Sequence, residues 1–390
     1  MSNTVAILTG GGDRPYAIGL AKSLADSGLS LDFISSDFLE CEELRANSRV
    51  RVLNLRGSMD PNAPIFVRIA RVLRYYWRLV RYAYSAEPKI FHILWNNKFE
   101  LVDRTILLWY YRLCGRRIAM TVHNVNVRKR DGKDTALNRA TLRMQYHLCD
   151  RLFVHTEQMK RELSTEFAVV EGSISVIPFG INNTVPDTGI TTRDSRARLG
   201  LPTNGKVVLF FGNIARYKGV EVLIDAVKVV EQRLPELCVV IAGRPKGDDS
   251  YWGDVNDRID VLGLGMRVKR CIEYIPDADT EIYFKAADIL VLPYRHVFQS
   301  GVLFLAYNFG LPVIAANIAS ISDDVVEGET GYTFEPGSVG DLAAKIETYF
   351  SSALYDDLDH ARLRIRSYAA DRYSWAKVAA ITQSAYCTMS

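Results

Sequence analysis

Two cations placed two residues apart in a strand-to-helix loop are the residues of this chain best suited to chemistry. The run 207–219 reads VVLFFGNIARYKG: an apolar, β-branched and aromatic stretch breaks at Gly212, carries Arg216 and Lys218, and leads into the amphipathic run 220–232. That is the pattern of a buried strand, a tight loop and a helix. Backbone N–H groups at a glycine-containing loop and helix start, joined by two cations, suit a diphosphate, because oriented donors and charge gain in worth where water is excluded. Taken alone, the stretch reads equally as a plain connection with solvated cations. A second candidate lies at 299–302, where Gln299, Ser300 and Gly301 precede the apolar run that starts at Val302, the place where unpaired helix N–H groups point outward. If both loops leave a parallel sheet at its carboxyl edge, they converge on one anion site.

A third candidate is His123-Asn124, just beyond the strand-like run 117–122 and followed by Arg128, Lys129 and Arg130. Residues past the carboxyl ends of strands line the ligand crevice of an open α/β sheet, so His123 is a candidate for sugar or phosphate contact. Gly11 and Gly12 end the run TVAILTGGG at 4–12, where glycine lets a ligand approach the backbone. A tight turn without a ligand explains those glycines as well.

The elements that must hold these residues alternate strand and helix along the whole chain. At 390 residues the chain is too long for one ordinary core and divides into two domains of similar size. Its 48% hydrophobic and 24% charged content is that of a folded globular protein, and a net charge of +3 gives no argument for nucleic acid. The six cysteines show no C-x-x-C spacing and read as buried free thiols of a reducing compartment. No secretory signal precedes the first strand, and no window is apolar for long enough to cross a membrane. The expected location is cytoplasmic.

Strands are expected near 4–8, 31–35, 49–55, 89–94, 117–122, 151–155 and 174–177, and again at 207–211, 237–242, 258–262 and 288–293. The segment 181–204 is rich in Thr, Asp, Pro and Asn and reads as a linker between a first domain at 1–180 and a second at 205–372. Asp277-Ala278-Asp279 has the look of a paired-aspartate metal motif, but Asp279 reads better as a helix N-cap. The run 65–84 places Arg68, Arg71, Arg74, Arg78 and Arg81 on one helical face beside tyrosines and a tryptophan. That suits peripheral contact with an anionic membrane at the inner face of the cell; a surface helix whose arginines pair with carboxylates is the rival.

The order of several segments resembles family 4 retaining glycosyltransferases of GT-B fold. They are VIPFGI at 176–181, the loop from Gly212 to Gly219, DILVLP at 288–293, GLPVI at 310–314, GETG at 328–331 and YSW at 373–375. The resemblance implies two Rossmann-like domains facing a cleft, an acceptor-binding first domain, a donor-binding second domain, and a final helix at 373–390 crossing back to the first. It implies a nucleotide-sugar co-substrate with no obligatory metal. On it, Arg216 and Lys218 neutralise the nucleotide diphosphate, His123 stands near the transferred sugar, and Gly11 or Gly12 belongs to the glycine loop. The chain departs from the family at its two glutamates, whose positions hold Val297 and Leu305; it looks instead like a branch reading Gln299-Ser300-Gly301, in which Gln299 and the amides of Ser300, Gly301 and Val302 take the diphosphate.

These readings lead to a transferase that moves a sugar from a nucleotide donor to a saccharide, lipid-linked acceptor in surface or exopolysaccharide synthesis. No opposed carboxylate pair suits a glycosidase-like scheme. A nucleotide-sugar epimerase of the same fold and a non-catalytic nucleotide-sugar-binding subunit are the alternatives.

Overall fold

The computed structural model describes residues 4–60, 62–130, 133–181, 185–247, 249–296 and 300–389. Gln299 and Val297 lie outside the described residues. The chain forms two compact units, 1–180 with 373–390, and 181–372.

In unit 1, seven strands follow in chain order: β1 Thr4–Leu8, β2 Ser30–Ser35, β3 Val50–Asn54, β4 Ile90–Ile93, β5 Arg117–Thr121, β6 Arg151–Val154 and β7 Ile174–Val176. They pair in the order β3-β2-β1-β4-β5-β6-β7, every pair parallel. A parallel sheet needs crossover helices that cover both faces, which is why the strands read as continuous apolar runs. Leu79, Tyr111 and Leu163 pack on one face and Tyr16, Leu20 and Val378 on the other. The chain runs outward from β1 and then returns to its other side, so ligand-facing loops gather beyond the carboxyl ends of β1 and β4.

The closing helix Trp375–Cys387 belongs to this unit. Trp375 meets Tyr16 edge to face at 5.3 Å, and the Ser23 hydroxyl donates to the Trp375 carbonyl at 2.8 Å. Trp375 is 9% exposed, so Trp375→Ala empties a packed aromatic site at an expected cost of about 3–5 kcal/mol. Urea unfolding followed by circular dichroism reads this as a lower midpoint for unit 1; an unchanged midpoint would remove the helix from its core.

In unit 2, six strands follow: β8 Lys206–Phe211, β9 Leu237–Ala242, β10 Val268–Cys271, β11 Ile289–Leu292, β12 Val313–Ala316 and β13 Gly331–Phe334. Their order is β10-β9-β8-β11-β12-β13, again parallel throughout. The turning point of this sheet lies between β8 and β11.

Three expectations differ from this structure. The run 258–262 is no strand: it ends the helix Asp249–Val261, whose buried Tyr251, Val255 and Ile259 repeat every four residues, a helical period that a five-residue window hides. The neighbouring strand is β10, short and at the sheet edge. Asp279 does not cap its helix, which begins at Asp277 after Pro276; both aspartates sit in the first turn, where the helix dipole favours them. The polar segment taken as a linker contains the helix Thr192–Leu199, held by a buried arginine. Arg196 places Nη2 2.8 Å from both Asp288 carboxylate oxygens and donates to the carbonyls of Ala286 and Gly205, both at 3.0 Å. A buried cation with every donor matched fixes this segment against β11.

All six cysteines are unpaired, but only Cys149 is buried and Cys387 is exposed. Among the described residues no helix is long and apolar enough to cross a membrane.

Candidate active site

The loops beyond β8 and β11 make one site in unit 2. After β8 the chain passes Gly212 and forms a single 3-10 turn, Arg216–Lys218, closed by Gly219 at φ +63°. A β-carbon on Gly219 would lie 2.1 Å from the Pro293 carbonyl oxygen, so only glycine lets this turn rest on the loop after β11. The Arg295 amide donates to the Tyr217 carbonyl at 2.8 Å and locks the two loops together.

That docking buries Lys218. Its Nζ donates to the Tyr294 hydroxyl at 2.6 Å and stands 4.1 Å from the centroid of the same ring, a cation–π contact. The Tyr294 hydroxyl in turn lies 3.2 Å from Ser300 Oγ, and Ser300 precedes the helix Gly301–Asn308. A β-carbon on Gly212 would lie 3.4 Å from Val302 Cγ2 and 3.9 Å from Lys218 Nζ. Gly212, Lys218, Ser300, Gly301 and Val302 therefore share one locus, with a helix N-terminus, a buried ammonium and a hydroxyl. Among the described residues no carboxylate pairs with Lys218. Burial strips water from the ammonium and pulls its pKa down to about 8. An anion arriving here would supply the missing counter-charge.

The contacts described for Arg216 lie elsewhere. Its Nη2 pairs with Asp254 at 3.0 Å and its guanidinium stands 5.3 Å from the Tyr251 ring, beside a cavity of about 580 Å³ that also contacts Glu221 and Arg295. The reason is local: a 3-10 turn advances three residues per revolution, so residues two apart point in different directions. Adjacent spacing in sequence suggested convergence; the turn separates the pair. Tyr294 was missed from sequence, though it stands two positions past β11, where strand-end residues face a ligand.

Unit 1 holds a second polar locus beyond β4 and β5. His123 stacks face to face on Trp95 at 4.2 Å and meets Tyr16 edge-on at 4.7 Å. His123 Nδ1 lies 3.0 Å from His155 Nε2, and His155 Nδ1 lies 3.3 Å from the Ile177 carbonyl. A carbonyl only accepts, so His155 Nδ1 carries the proton and its Nε2 accepts from His123 Nδ1–H. His123 Nε2 is left as a buried acceptor with no partner. Burial, then the neighbouring His155 and His92, hold the His123 pKa well below the usual histidine range, so the ring is neutral.

His123 and Asn124 border a cavity of about 440 Å³ rich in amides, among them Asn96, Asn126 and Gln145, with Arg104 in its wall. Asn126 Nδ2 and Arg104 Nε are buried there without partners, like His123 Nε2. Donors and one acceptor left open around a cavity suit a ligand rich in hydroxyl groups. Gly11 and Gly12 have an internal explanation. A β-carbon on Gly12 would lie 2.0 Å from the Trp95 ring, and Gly11, at φ +79°, faces the Arg56 guanidinium, whose Nη1 donates to the Gly10 carbonyl at 2.5 Å. The turn thus sets Trp95, which in turn sets His123. Trp95 was also missed from sequence; it stands two positions past β4. Arg68, Arg71, Arg74, Arg78 and Arg81 lie on the helix Ile65–Ser85 and none lines this cavity. Among the described residues no cluster of three or more His, Cys, Asp or Glu could hold a metal ion.

The family model described as Glycosyl transferases group 1 matches residues 191–371, and that described as Glycosyltransferase Family 4 matches residues 10–184. The chain is 27% identical to D-inositol 3-phosphate glycosyltransferase of Corynebacterium glutamicum, covering 96% of this chain and 91% of that one. With the enzyme of the same name from Mycolicibacterium smegmatis it shares 31% identity over 58% of this chain and 50% of the relative. Sucrose-phosphate synthase from Thermosynechococcus elongatus superposes with a TM-score of 0.77 at 19% identity over 99% of this chain and 98% of that one. Anabaena Alr3699/HepE, solved in complex with UDP and glucose, gives 0.75 at 17% identity over 99% of both chains.

Proposed function

The chain belongs to the group 1 and family 4 glycosyltransferases, with the GT-B pair of α/β sheets, and from that premise we propose that it is a retaining enzyme that transfers a sugar from a nucleotide-sugar donor to a saccharide acceptor. The observation that carries this reading is Lys218, a buried ammonium without a carboxylate partner among the described residues, facing Tyr294 and the start of the Gly301–Asn308 helix. The donor diphosphate would sit there, taking Lys218, the Ser300 hydroxyl and the first amides of the helix. Charge grows on the departing diphosphate as the glycosidic bond breaks, and donors fixed in advance stabilise it without reorganisation. Arg216 would add to this by leaving Asp254; an exposed pair holds by less than about 1 kcal/mol, so a phosphate can compete for it.

No side-chain nucleophile is assigned. In this reading an oxygen of the leaving phosphate removes the proton from the acceptor hydroxyl, which attacks from the face the phosphate leaves. The open amide and guanidinium donors around His123 support an acceptor with many hydroxyls in unit 1, and a lipid-linked saccharide is the acceptor class we favour. Leu305 is buried where the family places its ribose-holding glutamate, which supports a different ribose contact or, as the second reading, a non-catalytic nucleotide-sugar-binding subunit.

A thermal-shift panel of nucleoside diphosphates and nucleotide sugars, run on the parent and on Arg216→Ala/Lys218→Ala, tests the proposal. At ~100 times its dissociation constant a ligand adds about 2.7 kcal/mol of stability. Stabilisation of the parent and not the variant identifies the donor class. No stabilisation by any nucleotide overturns donor binding at Lys218, and stabilisation without sugar transfer favours the non-catalytic subunit.

A further inference from the structure

The helix Ile65–Ser85 has three faces rather than two. Tyr75, Leu79 and Ala83 are buried against the sheet. A second stripe, Phe66, Ile69, Leu73, Trp77, Val80 and Tyr84, is apolar and exposed: Leu73 is 60% and Trp77 61% accessible. The third face carries the arginines. The stripe continues onto the neighbouring helical run, where Ile106, Trp109 and Leu113 repeat at spacings of three and four and are exposed as well, Leu113 at 82%. The two helices lie side by side, since the Tyr110 hydroxyl donates to the Val80 carbonyl at 3.2 Å and Tyr76 stacks on Phe99 at 5.5 Å.

A contiguous exposed apolar surface of this kind marks a contact site, unlike singly exposed apolar side chains such as Val261 and Met266. Its edge identifies the partner. Among the described residues, Arg68, Arg71, Arg74, Arg78 and Arg81 form no ion pair with a carboxylate; Arg81 stands 5.7 Å from the Trp77 ring centroid, and Arg78 reaches only the Leu55 carbonyl at 3.4 Å. The rival reading, in which these arginines pair across the surface, is not what the structure shows. An anionic bilayer offers phosphates to the arginines, hydrocarbon to the leucines, and a head-group zone suited to tryptophan and tyrosine.

We propose that these two helices form a peripheral docking face that sets Leu73, Trp77, Trp109 and Leu113 into the boundary of an anionic lipid bilayer, with the arginine face on the lipid phosphates. The proposal is independent of the transferase reading, because it is measured without donor or acceptor. The test is co-sedimentation of the full chain with vesicles of phosphatidylglycerol and phosphatidylcholine at 1:1, and with phosphatidylcholine alone. The variants are Trp77→Ser/Trp109→Ser and Arg74→Gln/Arg78→Gln/Arg81→Gln, all at exposed positions that leave the core untouched. The parent is expected to bind the anionic vesicles, with a blue shift of tryptophan emission, and to bind the neutral ones at least ten-fold more weakly. Each arginine removed is expected to weaken binding about five-fold at low salt. The tryptophan variant is expected to lose the blue shift and at least ten-fold in binding, and what remains should vanish at physiological salt. No binding of the parent at low salt, or equal binding by the arginine variant, overturns the proposal; so does a dimer in sedimentation equilibrium that the tryptophan variant disperses without any vesicle binding.

Discussion

Lys218→Ala is expected to lower kcat/KM by about 100- to 1,000-fold, the loss seen when one preorganised donor is taken from a developing oxyanion. The ammonium is buried against the Tyr294 ring with its Nζ on the Tyr294 hydroxyl, so no other described side chain stands ready to replace it. Lys218→Arg should restore little, since a planar guanidinium needs more room than this pocket gives a point charge. Lys218→Met separates charge from folding. It keeps the apolar stem and removes an ammonium that lacks a counter-charge, so it should be inactive and at least as stable as the parent.

The depressed pKa of Lys218 adds a pH signature to the same prediction. In the ligand-free protein the ammonium loses its proton as pH rises through about 8. A diphosphate prefers the charged form, so affinity measured by calorimetry should be level below about pH 8 and fall by up to about ten-fold per unit above it. The unfolded chain holds the proton up to the ordinary lysine value near 10.4. Between the two values the unfolded state binds more protons, so the stability of the ligand-free protein should gain a rising contribution from this group over that window, with the full penalty present below it. Both signatures should be absent from Lys218→Met.

His123→Ala is expected to reduce kcat/KM by about 10- to 100-fold, the worth of one buried hydrogen bond to a substrate hydroxyl. The size follows from the tautomer. His123 Nδ1–H is committed to His155, and Nε2 is a buried acceptor on a ring held neutral by burial. Such a nitrogen orients a hydroxyl but is a weak base. A fall of 10,000-fold would contradict this and point to proton transfer. Nucleotide affinity should be unchanged in His123→Ala, because Gly212, Lys218, Tyr294 and Ser300 all belong to unit 2. The pH–rate profile of the parent should show no limb near 6.5 from His123; the appearance of one that His123→Ala abolishes would overturn the neutral assignment.

Much of this was legible in the chain itself. Apolar runs located β1, β5, β8, β9 and β11, with glycine marking the ends of β1, β8 and β9, because strand and helix periods are written within a few consecutive residues. The same locality explains the errors. Four residues at the end of the Asp249–Val261 helix, with Leu262 after them, imitate a strand when read without the turns before them, and a polar segment hides the one arginine, Arg196, that anchors it to Asp288. The strand-end rule singled out His123 and Lys218 by position, yet passed over Trp95 and Tyr294, which stand at equivalent positions past β4 and β11 and whose aromatic character resembled ordinary core.

Sequence alone determined the α/β alternation, the glycine-closed loop with its two cations, and the arginine face of the Ile65–Ser85 helix. Tertiary structure alone decided which cation is buried, which histidine nitrogen is open, and that the apolar residues beside those arginines stay in the open. Periodicity depends on neighbours along the chain, whereas burial and charge state depend on groups brought from far away. Tyr294, which receives the Lys218 ammonium, is 76 residues distant, and His155, which fixes the His123 tautomer, is 32.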